Sequence, residues 1–301
     1  MPANRPTVDV VPYLFHIPDC EELSVDNGLS AGDVAASVFR DAMNLHHTLP
    51  RSRSWRTAED AAVRMKYRPP QDWQRMAISE LLRGSPREQV VKDQFDFWAT
   101  ERKSKAAVDE VYVAGDTTLL QRRCIAVIGS RDVSEAGLKR ATRIARELAE
   151  QDVVVVSGLA AGVDCAAMKS AIANGGHTVG VIGTPLDKAY PAANASLQET
   201  VYRDHLLVSQ FAFGERTYRS SFPERNKTMA LLSDASVVIE ASDTSGTLHQ
   251  ASECVRQNRW LGILKSVVDD PKLTWPKGFL AYERCLVIDT TETLLEHLYP
   301  K

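Results

Sequence analysis

A doubly wound α/β domain with a mostly parallel sheet is the fold class that the sequence predicts, and two observations predict it. Apolar runs such as 125–128, 153–156, 178–182 and 237–239 each lead into a turn of small residues. Segments with helical spacing separate these runs. Such runs are typical of parallel strands that helices cover on both faces. Ligands then bind at the carboxyl ends of the strands, where Gly-rich turns and helix N-termini favour anions, so the sequence predicts a phosphate site.

This α/β domain is expected over residues 119–301. The helix after its first strand carries Leu138, Ala141, Ala145 and Leu148 on one face and charged residues on the other. Later elements are the strands Leu206–Ser209, Val237–Glu240, Trp260–Leu264 and Cys285–Ile288, followed by a last helix at Thr291–Leu298.

Residues 1–118 lack comparable strand patterns and are predicted to form an all-helical N-terminal module. Apolar spacing and N-cap residues indicate its helices, and Glu101–Asp116 is expected to be the junction. The four helices are Asp33–Leu49, Thr57–Lys66, Asp72–Arg83 and Pro86–Ala99.

A basic segment at 51–75 lies within this module. Seven Arg and Lys side chains face three acidic ones, and Trp55, Tyr67 and Trp73 are interleaved with them. Aromatic side chains beside a basic track can hold a single strand by base stacking. The alternative is a solvated helix face with its aromatic side chains in the core.

Composition limits the classes of function. The chain has 301 residues and a net charge of −3, so a nucleic-acid site must be a local patch. Its five scattered cysteines form no C-x-x-C pair, which predicts neither a zinc site nor a disulfide framework and fits the reducing cytoplasm. No segment has the pattern of a signal peptide or a membrane span. No His has metal-ligand spacing, and we expect neither a metal nor a cofactor.

Two turns after predicted strands could bind an anion. In the first, Gly129 permits a tight turn, Ser130 can donate to a phosphate oxygen, and Arg131 offers a forked, charged set of donors. An ordinary βα turn with a surface arginine is the alternative. In the second, Ser157–Asp164, the small residues Gly158 and Gly162 allow a ligand to approach the backbone closely. Asp164 is expected to cap the next helix or to fix the loop.

Two predicted helix N-termini could also bind an anion. At Arg219–Lys227, the cationic side chains surround exposed N–H groups, and Phe222 could stack on a base or lie in the core. At Ser245–Thr247, which follows the strand ending near Glu240, hydroxyls and N–H groups form a predicted anion nest.

As an ordered set, these motifs resemble those of the DNA-processing protein A (DprA/Smf) family. The family's GxR, SGxAxGID, GG, YP-x-x-N-x-x-L, FPxRNR and SG[ST]L motifs stand here as Gly129–Arg131, Ser157–Asp164, Gly175–Gly176, Tyr190–Leu197, Phe222–Lys227 and Ser245–Leu248. The resemblance implies an extended Rossmann-like domain that binds single-stranded DNA. It places Arg131, Arg219, Phe222, Asn226 and Ser245 in the binding pocket, with Gly158 and Gly162 shaping its floor.

The chain also departs from the family pattern. Ala161 and Lys227 replace arginines of the family motifs, and the VPG motif expected after Leu261 is absent. That later region carries self-association and partner contacts in many members, so RecA loading is not expected. A homodimer stays an open alternative that the resemblance implies. DprA-like proteins also occur beside toxins in phage-defence pairs. An antitoxin or DNA-sensing subunit in antiviral defence, with a toxin partner encoded by a neighbouring gene, is therefore an alternative.

Catalysis is not expected. Related phosphoribohydrolases place a Glu just after their GT turn, whereas His249 and Gln250 follow Gly246-Thr247-Leu248 here. Glu240 alone would be thin support for glycosidic chemistry, which usually needs two carboxylates. A nucleotide-binding or phosphoribohydrolase-like relative remains the enzymatic alternative.

The sequence thus predicts a non-catalytic protein that binds single-stranded DNA in DNA processing, recombination or sensing. Phosphates would contact Arg131, Arg219 and Arg225, and bases would stack on Phe222. Ser245, Gly246 and Thr247 would offer hydroxyls and N–H groups. Arg225 could instead tie its helix to the strand of Glu240.

Overall fold

The computed structural model describes residues 67–88 and 108–300. Nine strands of this part form one sheet. They are β1 (Gln74–Ala77), β2 (Glu110–Gly115), β3 (Cys124–Ile128), β4 (Val154–Ser157), β5 (Thr178–Ile182), β6 (Leu206–Ser209), β7 (Ala235–Val238), β8 (Trp260–Leu264) and β9 (Cys285–Ile288).

The helices of the described residues flank this sheet, and two 3-10 turns lie at Thr117–Gln121 and Ala192–Asn194. The α-helices are α1 (Ile78–Leu81), α2 (Glu135–Glu150), α3 (Val163–Ala173), α4 (Ala195–Asp204), α5 (Ser221–Leu231), α6 (Thr247–Arg256), α7 (Lys265–Val268), α8 (Lys277–Leu280) and α9 (Thr291–Leu298).

Strand order defines where a ligand can bind. The order is β1-β2-β6-β5-β4-β3-β7-β8-β9, with β3 to β9 parallel and with β1 and β2 antiparallel at one edge. The chain passes from β3 to β4 on one side and later adds β7 on the other. A topological switch point therefore lies at the carboxyl end of β3, where open α/β sheets bind their ligands.

Burial follows the predicted pattern. Every residue of β3, β4, β5, β6 and β7 is buried, as expected for parallel strands beneath helices. The predicted α/β class is confirmed, and β9 and α9 have their predicted bounds.

On α2, Ala141, Ala145 and Leu148 are buried as predicted, but Leu138 is 38% exposed and Ile144 is buried instead. Gly175 and Gly176 follow the C-cap of α3, and their amides donate to the carbonyls of Ile172 and Ala171.

The expectation of an all-helical segment before residue 119 is wrong where the structure describes it. Gln74–Ala77 and Glu110–Gly115 are strands, and the helix predicted over Asp72–Arg83 is reduced to α1. Gln74 pairs with Val113, and β2 in turn pairs with β6, so both strands extend the main sheet. The domain boundary after residue 118 stays a prediction. The predicted helices Asp33–Leu49 and Thr57–Lys66, residues 89–99 of Pro86–Ala99, and residues 101–107 of the junction lie outside the described residues.

Only 67–75 of the basic segment is described. Tyr67 is buried, donates from its hydroxyl to the Leu186 carbonyl and accepts a bond from Gln198, so its role is structural. Trp73, in contrast, is 39% exposed. Trp55 lies outside the described residues.

A buried ion pair joins the segment before β2 to the sheet. The fully buried Arg87 guanidinium donates to both Asp234 carboxylate oxygens, at 2.9 and 2.8 Å, and to the Arg122 carbonyl. The same carboxylate accepts from the Cys124 amide and the Tyr299 hydroxyl, each at 2.8 Å. One carboxylate therefore links β3, the turn before β7, the end of α9 and Arg87.

Candidate functional site

Three motifs of the predicted site and the turn after β5 meet at the carboxyl edge of the sheet. They enclose a cavity of about 160 Å³ whose walls include Arg131, Gly158, Tyr190, Phe222 and Arg225. These residues come from the turns after β3, β4 and β5 and from the first two turns of α5. Three of the predicted motifs thus contribute to one cavity, whereas Arg219 and Ser245 do not line it.

An exposed guanidinium and a half-buried aromatic ring lie side by side at the mouth of the cavity. The Arg131 guanidinium carbon lies 5.7 Å from the centroid of the Phe222 ring, and the Tyr190 ring lies 5.1 Å from Phe222 at a tilt of 47°. Beneath Phe222, a Cβ atom at Gly183 would come within 2.7 Å of the ring. Phe222 is half-buried and therefore neither a core residue nor fully exposed.

The β3 turn is held by backbone contacts. The Ser130 amide donates to the Glu240 carbonyl at 2.8 Å, and the Ser130 hydroxyl donates to the Asp132 carbonyl at 2.8 Å. The hydroxyl thus has no proton left for the phosphate contact that the sequence predicts. A Cβ atom at Gly129 would approach Val163 to 2.5 Å, so this position must be small.

Gly158 and Gly162 shape the floor, as the sequence predicts. A side chain at Gly158 would collide with the Arg225 guanidinium. Gly162 has a φ of 78°, and a side chain there would meet the carbonyl oxygens of Ser130 and Arg131. Two loops therefore pack backbone to backbone beneath the cavity.

Asp164 fixes the loop and does not cap the helix. Its Oδ2 accepts from the amides of Gly158 and Ala160 at 3.0 and 3.4 Å, whereas Gly162 occupies the N-cap position of α3. Burial raises the pKa of this carboxyl, and the charge of Arg225 opposes that rise. The prediction that Asp164 caps the helix is wrong because its carboxylate points back into the turn.

Arg225 is a buried support rather than an exposed phosphate contact. Its Nη1 donates to the Val181 carbonyl at 2.6 Å, and its Nε donates to Asn226 Oδ1 at 3.2 Å. The alternative that Arg225 ties α5 to the strand of Glu240 is also wrong, because Val181 belongs to β5. Burial lowers the pKa of Arg225, Asp164 counteracts this, and the charge of Arg131 lowers it further. Asn226 is buried and turns its carbonyl oxygen to Arg225.

Two other predicted site residues serve the fold. The fully buried Ser157 hydroxyl donates to the Val127 carbonyl at 2.8 Å and so ties β4 to β3. Lys227 is half-buried, and its charge acts on the buried Glu253, whose pKa rises through burial and is held down by Arg256 and Lys227. Neither side chain lines the cavity described above.

Ser245 and Thr247 form hydrogen bonds with each other within their turn. The Ser245 hydroxyl bonds the Thr247 hydroxyl at 2.9 Å and accepts from the Thr247 amide at 3.2 Å. Thr247 therefore offers no unengaged amide to the predicted anion nest. Gly246 is exposed, and a Cβ atom there would meet no atom within 4 Å.

Arg219 is exposed in the loop before α5. Within residues 67–88 and 108–300 its guanidinium makes no hydrogen bond or ion pair. Of the predicted cationic contacts, Arg131 and Arg219 are thus the ones with charge accessible to a ligand.

The Tyr190–Leu197 motif has two roles that the sequence analysis did not predict. Tyr190 lines the cavity, and the Asn194 amide donates to the Leu159 carbonyl at 2.9 Å. The signal was available: this motif follows β5, whose carboxyl end lies at the same edge as the ends of β3 and β4.

The nearby carboxylates are engaged. Glu240 accepts from the Ser134 amide at 2.8 Å and from the Ser134 hydroxyl at 2.5 Å, which fixes the start of α2. Glu253 lies 3.3 Å from Arg256. Within the described residues, no group of three or more His, Cys, Asp or Glu side chains is arranged to hold a metal ion. Among the helices of those residues, none has both the length and the apolar character needed to cross a bilayer.

Comparison with known proteins gives consistent matches. The family model described as DNA recombination-mediator protein A matches residues 90–297. The DNA processing protein DprA of Streptococcus pneumoniae is 40% identical over 149 residues, which are 50% of this chain and 52% of that protein. The chain thus matches about half the length of this relative.

Two solved structures resemble the fold. The X-ray structure of DNA processing protein A from Streptococcus pneumoniae has a TM-score of 0.62 at 26% identity, covering 89% of this chain and 93% of that one. A structure of DNA processing protein A from Helicobacter pylori has a TM-score of 0.57 at 26% identity, covering 65% and 89%, and concerns its single-stranded DNA binding mode. The comparisons give no support to the antitoxin and phage-defence alternative.

Proposed function

Because the chain belongs to the DNA recombination-mediator protein A family, we propose that it binds single-stranded DNA in DNA processing or recombination and catalyses no reaction on it. One observation carries this proposal. Arg131 and Phe222 lie together at the mouth of the cavity, so a charged donor for phosphate and an aromatic ring for a base are adjacent.

The chemistry of a single strand fits this pair. A base that stacks on Phe222 or Tyr190 brings its neighbouring phosphate towards the forked donors of Arg131. Arg219 adds a second accessible charge in the loop that leads to Phe222. Duplex DNA does not present a base face in this way, so we expect a preference for single strands.

A relative supports the same reading. The Helicobacter pylori protein, whose structure resembles this one with a TM-score of 0.57, is described by its single-stranded DNA binding mode. The matched segment of this chain includes all the loops that form the cavity.

The non-catalytic part of the proposal rests on the state of the carboxylates. Glu240 is held by Ser134, and Glu253 is buried beside Arg256. Glycosidic cleavage usually needs two carboxylates on either side of the bond, and neither of these lines the cavity.

Salt dependence tests the binding site. The affinity for an oligothymidylate should fall with salt, with a log–log slope of about −0.7 for each phosphate that the protein neutralises. Arg131→Ala should weaken binding and make the slope shallower by about that amount. Arg143→Ala, which removes an exposed arginine from α2, is the matched control and should leave both quantities unchanged. Equal affinity and slope for Arg131→Ala and the wild type would refute the site.

The remaining partner and location assignments stay predictions. A homodimer is checked by light scattering of the purified chain, and the expected absence of RecA loading by an assay of RecA filament formation. A cytoplasmic location is checked by cell fractionation.

A further inference from the structure

A second group of aromatic side chains lies outside the cavity. Trp73 and Phe213 stack with ring centroids 5.3 Å apart and an interplanar angle of 16°. The Tyr112 ring supports Trp73 from a centroid distance of 5.7 Å. Trp73 and Phe213 are each 39% exposed, so the pair covers the sheet edge and still presents aromatic surface to the solvent.

Phe213 lies at the same carboxyl edge of the sheet as the cavity, and its stacking contact holds Trp73 beside it. Trp73 immediately precedes β1, and Phe213 follows β6 by four residues. Tyr112 of β2 pairs with Ser209, the last residue of β6. Since β6 is parallel to β5 and to the strands beyond it, its carboxyl end points the same way as the end of β3 that carries Arg131.

Two contacts join the loop of Phe213 to the loop of Tyr190. Asp187 accepts a hydrogen bond from the Gly214 amide at 3.3 Å, and the Lys188 ammonium donates to the Glu215 carbonyl. Tyr190 lies three residues beyond Asp187, a span of at most about 11 Å. The loop of Phe213 is therefore bonded to the loop that brings Tyr190 into the cavity wall.

The chain between them carries charge and a further ring. The Arg216 guanidinium lies 5.5 Å from the centroid of the Tyr218 ring, which is 55% exposed. Arg219 follows and leads to Phe222. Arginine and aromatic side chains thus alternate from Phe213 to Phe222, the composition that tracks a single-stranded backbone while its bases stack.

Two acidic side chains near this loop bond to its backbone amides. The Glu215 carboxylate accepts from the Ala212 amide at 2.9 Å, and that of Asp187 is bound to Gly214. Both are tied to the backbone, whereas the guanidinium groups of Arg216 and Arg219 are exposed. Residues 213–222 hold Arg216 and Arg219 against the single acid Glu215, and this net charge of +1 favours a polyanion.

We propose that Trp73 and Phe213 form a second base-stacking site, and that a single strand bound in the Arg131–Phe222 cavity continues along Arg219 and Arg216 to reach it. The inference rests on the proposed function and adds a second contact to the same ligand. A strand too short to reach from the cavity to the pair gains nothing from it, while a longer strand gains one or two further stacked bases.

Strand length provides the test. Oligothymidylates of about six and about twenty nucleotides differ in whether they can occupy both sites. Trp73→Ala and Phe213→Ala should each weaken binding of the longer strand about tenfold and leave binding of the shorter one unchanged. Trp73→Phe keeps a ring and should bind the longer strand nearly as well as the wild type. Leu280→Ala, at a side chain of similar exposure near β9, is the matched control and should change neither affinity.

Fluorescence gives a second readout that does not depend on truncation. The longer strand should quench tryptophan emission of the wild type more than that of Trp73→Phe, while the shorter strand should quench both equally. This comparison stands even if Trp73→Ala fails to fold.

The outcomes separate this inference from the proposed function. If Arg131→Ala weakens binding of both strands, while Trp73→Phe leaves the quenching by the longer strand unchanged and Phe213→Ala leaves its affinity unchanged, the second site is refuted and the cavity stands. An equal loss for both lengths in Phe213→Ala also refutes it, because the pair would then only support the fold. If the wild type binds neither strand, the proposed function itself fails.

Discussion

The guanidinium of Arg225 lies directly over Gly158, so closely that any side chain at position 158 would displace it. In this position Arg225 binds the Val181 carbonyl and faces the buried Asp164, whose carboxylate holds the amides of Gly158 and Ala160. Gly158 in the turn after β4 and Arg225 on α5 thus pack against each other beneath the cavity.

Gly158→Ala should therefore damage both stability and binding. The methyl group must push Arg225 off the Val181 carbonyl, and overpacking of this kind costs about 1–3 kcal/mol. Urea unfolding measures the loss, and affinity for a single strand should fall because the floor of the cavity moves. Gly246→Ala is the control: its Cβ would meet no atom within 4 Å, so it should unfold at nearly the wild-type urea concentration. Equal stability of both variants would contradict the described packing.

Arg87→Met should be strongly destabilising. It removes the donors that satisfy both Asp234 oxygens and leaves a mostly buried carboxylate without its cation, at a cost of about 3–5 kcal/mol. The free energy of unfolding in urea gives the value. Arg203→Met breaks the exposed Arg203–Asp204 pair and should barely change stability. A double variant that also replaces Asp234 by Leu should lose less than the sum of the single losses, since no unpaired charge remains.

His205 should make stability depend on pH. Burial lowers its pKa, the charge of His177 lowers it further, and Asp204 acts in the opposite direction. The unfolded chain, with a His pKa of about 6.5, then binds the proton more readily than the folded chain. Stability from this group is complete above about pH 6.5 and declines as the pH falls from there to the folded pKa, with no further loss below it.

The difference between the wild type and His205→Gln isolates this effect. The wild type should lose up to about 1.4 kcal/mol more per pH unit than the variant within that window. Unfolding curves between pH 7.5 and pH 5 measure it at matched ionic strength. Parallel pH profiles of the two proteins would show that His205 titrates equally in both states.

The sequence was informative where local pattern decides structure. Strands such as β9, and the capped helix α9, were predicted with their bounds because apolar runs and a Thr N-cap are local signals. Strand β1 was missed because Gln74–Ala77 contains good helix formers, and its conformation comes from pairing with β2, more than thirty residues later. Non-local pairing of this kind leaves little trace in composition.

The candidate site, like the fold, was predicted only in part. The family resemblance implied that Arg131 and Phe222 share a pocket, and the structure places them together. Arg225 has the same residue type and a similar sequence setting as Arg219, but it is buried against a carbonyl from β5. Which arginine of a motif points outward depends on helix rotation, and that is set by packing across 44 residues of chain.

The two ends of the Arg131 turn are both anchored to Glu240, one through its carbonyl to the Ser130 amide and one through its carboxylate to Ser134. Because both ends of this turn are hydrogen-bonded, its backbone has little conformational entropy to lose when a ligand binds. Most of the attraction between guanidinium and phosphate can therefore appear as affinity, and the speed of capture should be set by diffusion and charge rather than by a slow rearrangement of this turn.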